Sequence, residues 1–402
     1  MLRKERGMND ETKCLKMVVP EDKFTSLSVP VHRASTIVFD NVAAYQARRS
    51  QLYDGYSYGL YGTPTSRALE KTLATIEGGD RAMVVSSGFA AITLVTLALS
   101  QSGNRVLFPD NVYETVRPFA DILLYRYGVT PVYYDPLSGA RIAELLDKDV
   151  SLVWLESPGS MTLEIQDIPA ITAACREHGI PTAADNTYAT PLRCKPLDLG
   201  VDISVCAVSK YISGHSDLVM GSIALRDEAR FRLLKDHARM LGQGVSADEA
   251  SLALRGLETL AVRLERIERT TLTLLDFVTD QPGVREVRHP ALTHNPGHAE
   301  WLRDFSGSTG LLTLFLEPWT RPLLAKAIEA MDQFAIGASW GGTKSVVAVL
   351  DALPPRTVTQ VSHDGPLVRF SIGLEHSDDL IESLTKGFAI LAAAQPAPSI
   401  TN

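Results

Sequence analysis

Several things are scarce in this 402-residue chain, and each scarcity excludes a class of protein. There are only four cysteines, Cys14, Cys175, Cys194 and Cys206, and none stands at metal-ligand spacing from another. A zinc module and a disulfide scaffold are therefore not expected, and reduced thiols are. Basic charge is in deficit, with 39 Lys and Arg against 47 Asp and Glu and a net charge of -8, so a nucleic-acid partner is not expected. The longest apolar run, FAAITLVTLAL, falls short of the roughly 20 residues that cross a bilayer. The start, MLRKERGMNDETK, has no apolar stretch of the signal-peptide kind, and Glu5, Asp10 and Glu11 do not suit a transit peptide. No internal repeat, P-loop or Ser-His-Asp arrangement stands out. The expectation is a cytoplasmic globular protein without a membrane partner.

What is present is an alternation of strand and helix patterns. The first 65 residues read as an irregular, tyrosine-rich arm. From Ser66, RALEKTLATIEGG reads as an amphipathic helix with a glycine stop, AMVVSS as a buried strand and FAAITLVTLALSQSG as a helix. RVLFPD, TPVYYD, SLVWLES, IPTAADN and ISVCAVS read as further strands, with helices such as IPAITAACREHG between some of them. Buried strands alternating with helices imply an α/β fold with a mostly parallel sheet covered on both faces. The pattern changes near residue 260. There TLAVRLERIERTTLTLLDFVTD is a long helix, LLTLFLE and VVAVLDAL are strand-like, and LIESLTKGFAILAAA is a last helix before a frayed tail, QPAPSITN. We expect an arm over 1–65, a main domain over 66–260 and a smaller α+β domain over 261–402.

Ligands of open α/β sheets bind beyond the carboxyl ends of the strands, so the residues there are the candidates. AMVVSS runs into Ser87-Gly88-Phe89 and a helix: either a plain turn or a cup whose free amides take a phosphate. Asp185, at the end of IPTAADN, is either a helix cap or a carboxylate with a cationic partner. Lys210, at the end of ISVCAVSK, either snorkels to solvent or is a Schiff-base former with a depressed pKa. Phosphate cup, acid and lysine together describe a site for pyridoxal 5'-phosphate (PLP). Tyr113, after RVLFPD, could stack on a flat ring or pack. Arg369 in LVRFSIG is a carboxylate clamp or an edge-strand charge. His294 and His298 in HNPGH have i, i+4 spacing, but Pro296 and Gly297 forbid a helix between them, and no metal site is expected.

The stretches YGLYGTPT, SSGFAAI, NVYE, ESPGS, ADNTYAT, SKYISGHSD, LRGLETLAVRL, HPAL, SWGG and LVRFSIGLE resemble the Cys/Met-metabolism family of fold-type I PLP enzymes. ESPGS and SWGG point to its branch of bacterial cystathionine β-lyases. The likeness implies that Lys210 carries the Schiff base and, with Tyr113, does the catalysis. It implies that Asp185 holds the ring nitrogen and that Tyr113 stacks on the ring. Gly88, Phe89 and Ser209 would bind the phosphate, and Tyr58 would reach the phosphate of a neighbouring subunit. Ser339, Trp340 and Arg369 would hold the substrate carboxylate, and the assembly would be a homotetramer of active-site-sharing dimers. The implied reaction is carbon–sulfur β-elimination from cystathionine or related S-substituted cysteines, giving a thiol, pyruvate and ammonia. The alternatives are a γ-lyase or a β/γ-replacement transferase of the same family, and a catalytically silent binding protein on the same fold.

Four departures from the family pattern stand out, three of them at the substrate rim. Leu60 stands where an arginine is frequent, with Tyr61 beside it, and an isobutyl group cannot replace a guanidinium. Thr343 and Lys344 replace a Tyr-Glu pair, and Ala338 stands where a tyrosine is common. Ser209 replaces a threonine and keeps the hydroxyl.

Overall fold

A computed structural model describes residues 9–15, 26–353, 355–393 and 395. The other residues of the tail QPAPSITN, read above as frayed, lie outside this set.

The helix Pro64–Glu77 shows how local sequence sets an element. Thr63 and Ser66 exchange side-chain-to-amide bonds across the first turn, and Pro64 occupies the first helical position, where a missing N–H costs nothing. Gly78 closes the helix at φ +73°, a left-handed conformation that suits glycine. The chain then enters β1 (Arg81–Val85), β2 (Arg105–Pro109), β3 (Thr130–Tyr134), β4 (Val150–Glu156), β5 (Thr182–Asp185), β6 (Ile203–Ala207) and β7 (Gly221–Leu225).

These seven strands form one sheet in the order β1-β7-β6-β5-β4-β2-β3. Pairing is parallel from β3 through β2, β4 and β5 to β6, while β7 runs antiparallel to both β6 and β1. Apart from the edge strand β3, the strands are buried along nearly their whole length, as a sheet covered on both faces requires. Helices Gly88–Leu99 and Glu228–Met240 pack on one face through Leu94, Val95, Phe231 and Leu234. On the other face, Ile168–Glu177 packs against β4 and β5 through Ile171 and Cys175.

A second sheet follows the 19-residue helix Leu260–Val278. Its strands are β8 (Val284–Arg288), β9 (Leu311–Leu316), β10 (Ala335–Ile336), β11 (Val346–Leu350) and β12 (Leu367–Ser371), in the order β10-β11-β12-β9-β8. Leu260–Val278 and the last helix, Ser377–Ala392, bury their apolar stripes against it.

Two expectations need correction. Lys210 does not end a strand. β6 stops at Ala207, and the chain turns because the Ser209 amide and hydroxyl both go to the Met220 carbonyl instead of continuing the ladder. Arg369 is not an edge charge, because β12 lies inside the second sheet between β11 and β9. Among the described residues no helix is long and apolar enough to cross a membrane.

Candidate active site

The carboxyl ends of β1, β2, β4, β5 and β6 come out on one edge of the first sheet, because these strands all run the same way. The register puts Glu156 of β4 beside Asp185 of β5, and Asp185 beside Val205 of β6. Lys210 lies three residues past the end of β6 and Tyr113 four past the end of β2. The same edge carries the start of the helix Gly88–Leu99. Ser87 caps that helix by accepting the Ala90 amide, which leaves the amides of Gly88 and Phe89 at its mouth. Gly88 has no room for a side chain, since a Cβ there would lie 2.5 Å from Cβ of Ala207. The end of β6 is thus pressed against the helix start, and Ser209 follows directly.

Lys210 is half-buried, and its amine donates to the Ser339 hydroxyl at 2.6 Å. The Trp340 ring centroid is 5.4 Å from the amine. Burial, and next the charge of Arg369, lower the amine's pKa; Asp185 opposes them. Both Ser339 and Trp340 belong to the turn between β10 and β11. Gly341 lets that turn approach at φ +85°, because a Cβ there would meet the Tyr211 amide at 2.8 Å.

Asp185 accepts the Thr187 amide at 2.9 Å, and burial raises its pKa against that bond and the charge of Lys210. Glu156, which the sequence reading missed, is a second buried carboxyl at this edge. It accepts the Tyr113 amide at 2.7 Å and the Ser160 amide. Burial, and then the charge of Asp185, push its pKa well up. A charged residue closing an apolar strand looks like an ordinary strand end, and only the register shows that it stands beside Asp185.

Arg369 is 8% exposed. Its guanidinium donates to the Ala338 carbonyl at 2.7 Å and lies 3.3 Å from Sδ of Met161. Both partners are neutral, and among the described residues it forms no ion pair. A buried cation without a counter-ion is costly, so the geometry favours an anionic ligand there.

The other predicted residues lie further out. Tyr113 is 40% exposed over the cleft edge, and Phe89 packs edge-on to Phe119. The Ser209 hydroxyl is engaged by both backbone groups of Met220. Tyr58 is 44% exposed and touches Tyr61 edge-on. Leu60 faces its own chain: Gly244 is the residue beneath it, and a Cβ there would lie 2.6 Å from Cδ1 of Leu60. His294 and His298 bond to the carbonyls of Val287 and Pro290, and no group of three potential ligands in the described residues could hold a metal.

This arrangement fits PLP group by group. Two helix-start amides suit its phosphate, a partly open carboxyl suits its ring nitrogen, and a depressed amine suits its aldehyde. The fit matches what the chain is similar to. It is 37% identical to the cystathionine beta-lyase MetC of Escherichia coli, over 89% of this chain and 92% of that one. It is 36% identical to an L-alanine/L-glutamate racemase of Wolbachia pipientis, over 91% and 93%. A cystathionine gamma synthase of Xanthomonas oryzae pv. oryzae, solved with aminoacrylate and cysteine, superposes with a TM-score of 0.87 at 28% identity, over 96% and 99%. The profile described as Cys/Met metabolism PLP-dependent enzyme matches residues 11–389. With the sheet edge, the lysine turn and this match in agreement, the chain belongs to the Cys/Met-metabolism family of PLP-dependent enzymes.

Proposed function

We propose that the chain is a carbon–sulfur β-lyase acting on cystathionine or a related S-substituted cysteine, with a thiol, pyruvate and ammonia as products. The observation that carries this reading is one cleft holding a lysine amine of lowered pKa, a partly open acid and a buried arginine that forms no ion pair among the described residues. When bound, PLP supplies an aldehyde for the substrate amine and a ring that draws off the electron pair left at Cα. Gly88, Phe89 and Ser209 would hold its phosphate, Tyr113 its ring face and Asp185 its ring nitrogen. Ser209 would first release one of its bonds to Met220.

In this reading Arg369 takes the substrate carboxylate with a charge-assisted fork, and Ser339 and Trp340 line the same end. That contact fixes the amino-acid end so that Cα faces Lys210. The Lys210 amine, its pKa lowered by burial and by Arg369, takes the Cα proton, and the hydrogen bond to Ser339 aims it. Glu156 holds the Tyr113 loop in place through the Tyr113 amide.

Racemisation begins with removal of the same proton, and a racemase stands among the relatives. Products separate the readings. With cystathionine, cystine and S-alkyl-cysteines, β-elimination releases pyruvate. γ-Elimination would release 2-oxobutyrate, replacement would give a new thioether, and racemisation would give D-alanine from L-alanine. Pyruvate as the main product is expected; any other main product overturns the assignment.

We further propose a dimer that shares its active sites, paired into a tetramer, in the cytoplasm. The arm 1–65 would reach across to the partner, with Tyr58 at the partner's phosphate, while 66–260 and 261–402 form two domains. The arm supports this reading, since its described residues up to Gly62 carry only short helices and leave Leu27, Val38 and Val42 exposed.

A further inference from the structure

Asp110, the residue after β2, is 1% exposed, and the proposed mechanism does not use it. Its carboxylate receives three successive amides of the β11–β12 connection: Thr357 at 2.9 Å, Val358 at 2.9 Å and Thr359 at 2.7 Å. The hydroxyls of Thr357 and Thr359 add bonds of 3.1 and 2.8 Å, and Arg117 pairs with the same carboxylate. Burial raises the pKa of Asp110, but the amides of Thr357, Thr359 and Val358 outweigh it and hold the group far below the usual carboxylate range. A second grip lies beside the first. Arg356 donates to Glu164 at 2.9 Å and to the Thr162 hydroxyl, and Glu164 accepts the Asn111 amide group at 3.0 Å. Glu164 is 4% exposed.

The two grips differ from the rest of the connection. Thr357 and Val358 are exposed on their outer side, so the segment 356–359 is held by buried carboxylates rather than by apolar packing. Both grips are also close in sequence to the site. Asp110 precedes Tyr113 by three residues, and Glu164 follows Met161 by three. Met161 touches the Arg369 guanidinium, and its carbonyl accepts the Thr313 hydroxyl at 2.7 Å. Arg369 itself stands on the strand into which this connection runs. The strap, which belongs to the second sheet, is therefore tied to two loops of the first, the one that carries Tyr113 and the one that touches Arg369.

We infer that Asp110 and Glu164 are positioning residues that clamp the strap 356–359 of the second sheet onto the Tyr113 and Met161 loops, and so set the affinity of the Arg369 site for the amino-acid end of the substrate. The inference rests on the reading of Arg369 as the carboxylate site, but not on β-elimination. In Asp110→Asn the carboxamide presents N–H groups to the strap amides, and the strap is released.

The test uses the full-length PLP-loaded enzyme. Hydrogen exchange at residues 357–359 is measured alongside the affinity for glycine, an amino acid that cannot undergo β-elimination, read from the change in cofactor absorbance. In Asp110→Asn, exchange at 357–359 quickens by about tenfold or more, glycine affinity falls about tenfold, and PLP affinity stays within about twofold. Arg356→Gln, which loosens only the second grip, shows the same pattern more weakly, and carries the test if Asp110→Asn does not fold. Quickened exchange with unchanged glycine affinity would show that the strap does not serve the substrate site. Unchanged exchange, or a loss of PLP affinity as large as that for glycine, would also overturn the inference. Wild-type glycine binding without any pyruvate from sulfur amino acids would sink the lyase reading and leave this one standing.

Discussion

The two sheets serve the cleft by different means. The first offers backbone: strand ends in one direction, a helix start pressed against β6 at Gly88, and a register that puts Glu156 beside Asp185. These positions are set by hydrogen-bond ladders and by glycines without room for a side chain. The second sheet offers side chains that reach in from a turn and from the middle of β12, and Ser339 and Lys344 on that turn are exposed. A site built in this way keeps its cofactor chemistry fixed and can vary its substrate. Every rim departure but Leu60 falls on the second sheet's turn.

That contrast can be broken most directly at Lys210. Lys210→Ala should lower turnover by about 10³-fold, since a positioned general base is worth roughly 10² to 10⁴. Single-turnover kinetics with added PLP would measure this. A tenfold loss or less would place the base elsewhere. Asp185→Asn should come next, at about 10²-fold in turnover with some cofactor retained, because a neutral partner cannot stabilise a proton on the ring nitrogen. Absorbance and turnover measured together test it, and near-normal turnover would remove Asp185 from the role.

On the second sheet the effect should move to binding. Arg369→Lys should raise KM about tenfold for every amino-acid substrate and leave the cofactor spectrum unchanged, because a lysine cannot supply the two-pronged contact. A changed spectrum with unchanged KM would blur the division between the sheets.

Glu156 sharpens the comparison by chemistry rather than by size. Because burial and Asp185 favour its uncharged form, it should tolerate Gln, and Glu156→Gln should stay within a few-fold of the native turnover. Glu156→Ala, which strands the Tyr113 and Ser160 amides, should cost about 1–3 kcal/mol of stability. Chemical denaturation of both variants checks this, and equal damage from both would mean that the carboxylate charge matters.

The smallest effect on activity is expected below the first sheet, at Glu77. There the Ser204 hydroxyl and the Cys206 thiol donate to a carboxyl that burial pushes up to about 7. Its folded pKa lies above the unfolded value, so the group costs nothing while protonated in both states. Stability then falls as pH rises from about 4.5 to about 7, and the loss levels off near ~3 kcal/mol. Glu77→Gln should flatten that slope and leave turnover alone. Melting temperatures across the same pH window test it; an unchanged slope would contradict the assignment.

Much of the first sheet's contribution was legible in the sequence. Apolar strands alternating with amphipathic helices reveal which residues stand at strand ends: Asp185 closes one, and Tyr113 and the Ser87-Gly88-Phe89 turn follow one. Lys210 was read as closing its strand because Val205 to Val208 stay apolar through the turn; the bonds of Ser209 to Met220 decide the stop, and they join residues 11 positions apart. β7 escaped notice because GSIAL is short and opens on glycine, and strand direction leaves no mark in composition. The second sheet was less readable. Arg369 could have been an edge charge until strand order placed β12 inside, and Leu60 could not be aimed without Gly244. The clamp on 356–359 was invisible, because it joins Asp110 to residues about 250 positions away.

The division between the sheets stands on Lys210 being the residue that meets the cofactor. Borohydride reduction of the PLP-loaded enzyme, followed by peptide mass spectrometry, tests this in one measurement. The account predicts a single labelled peptide, with the cofactor fixed on Lys210. A label on Lys195, on Lys235 or on any other lysine would contradict it.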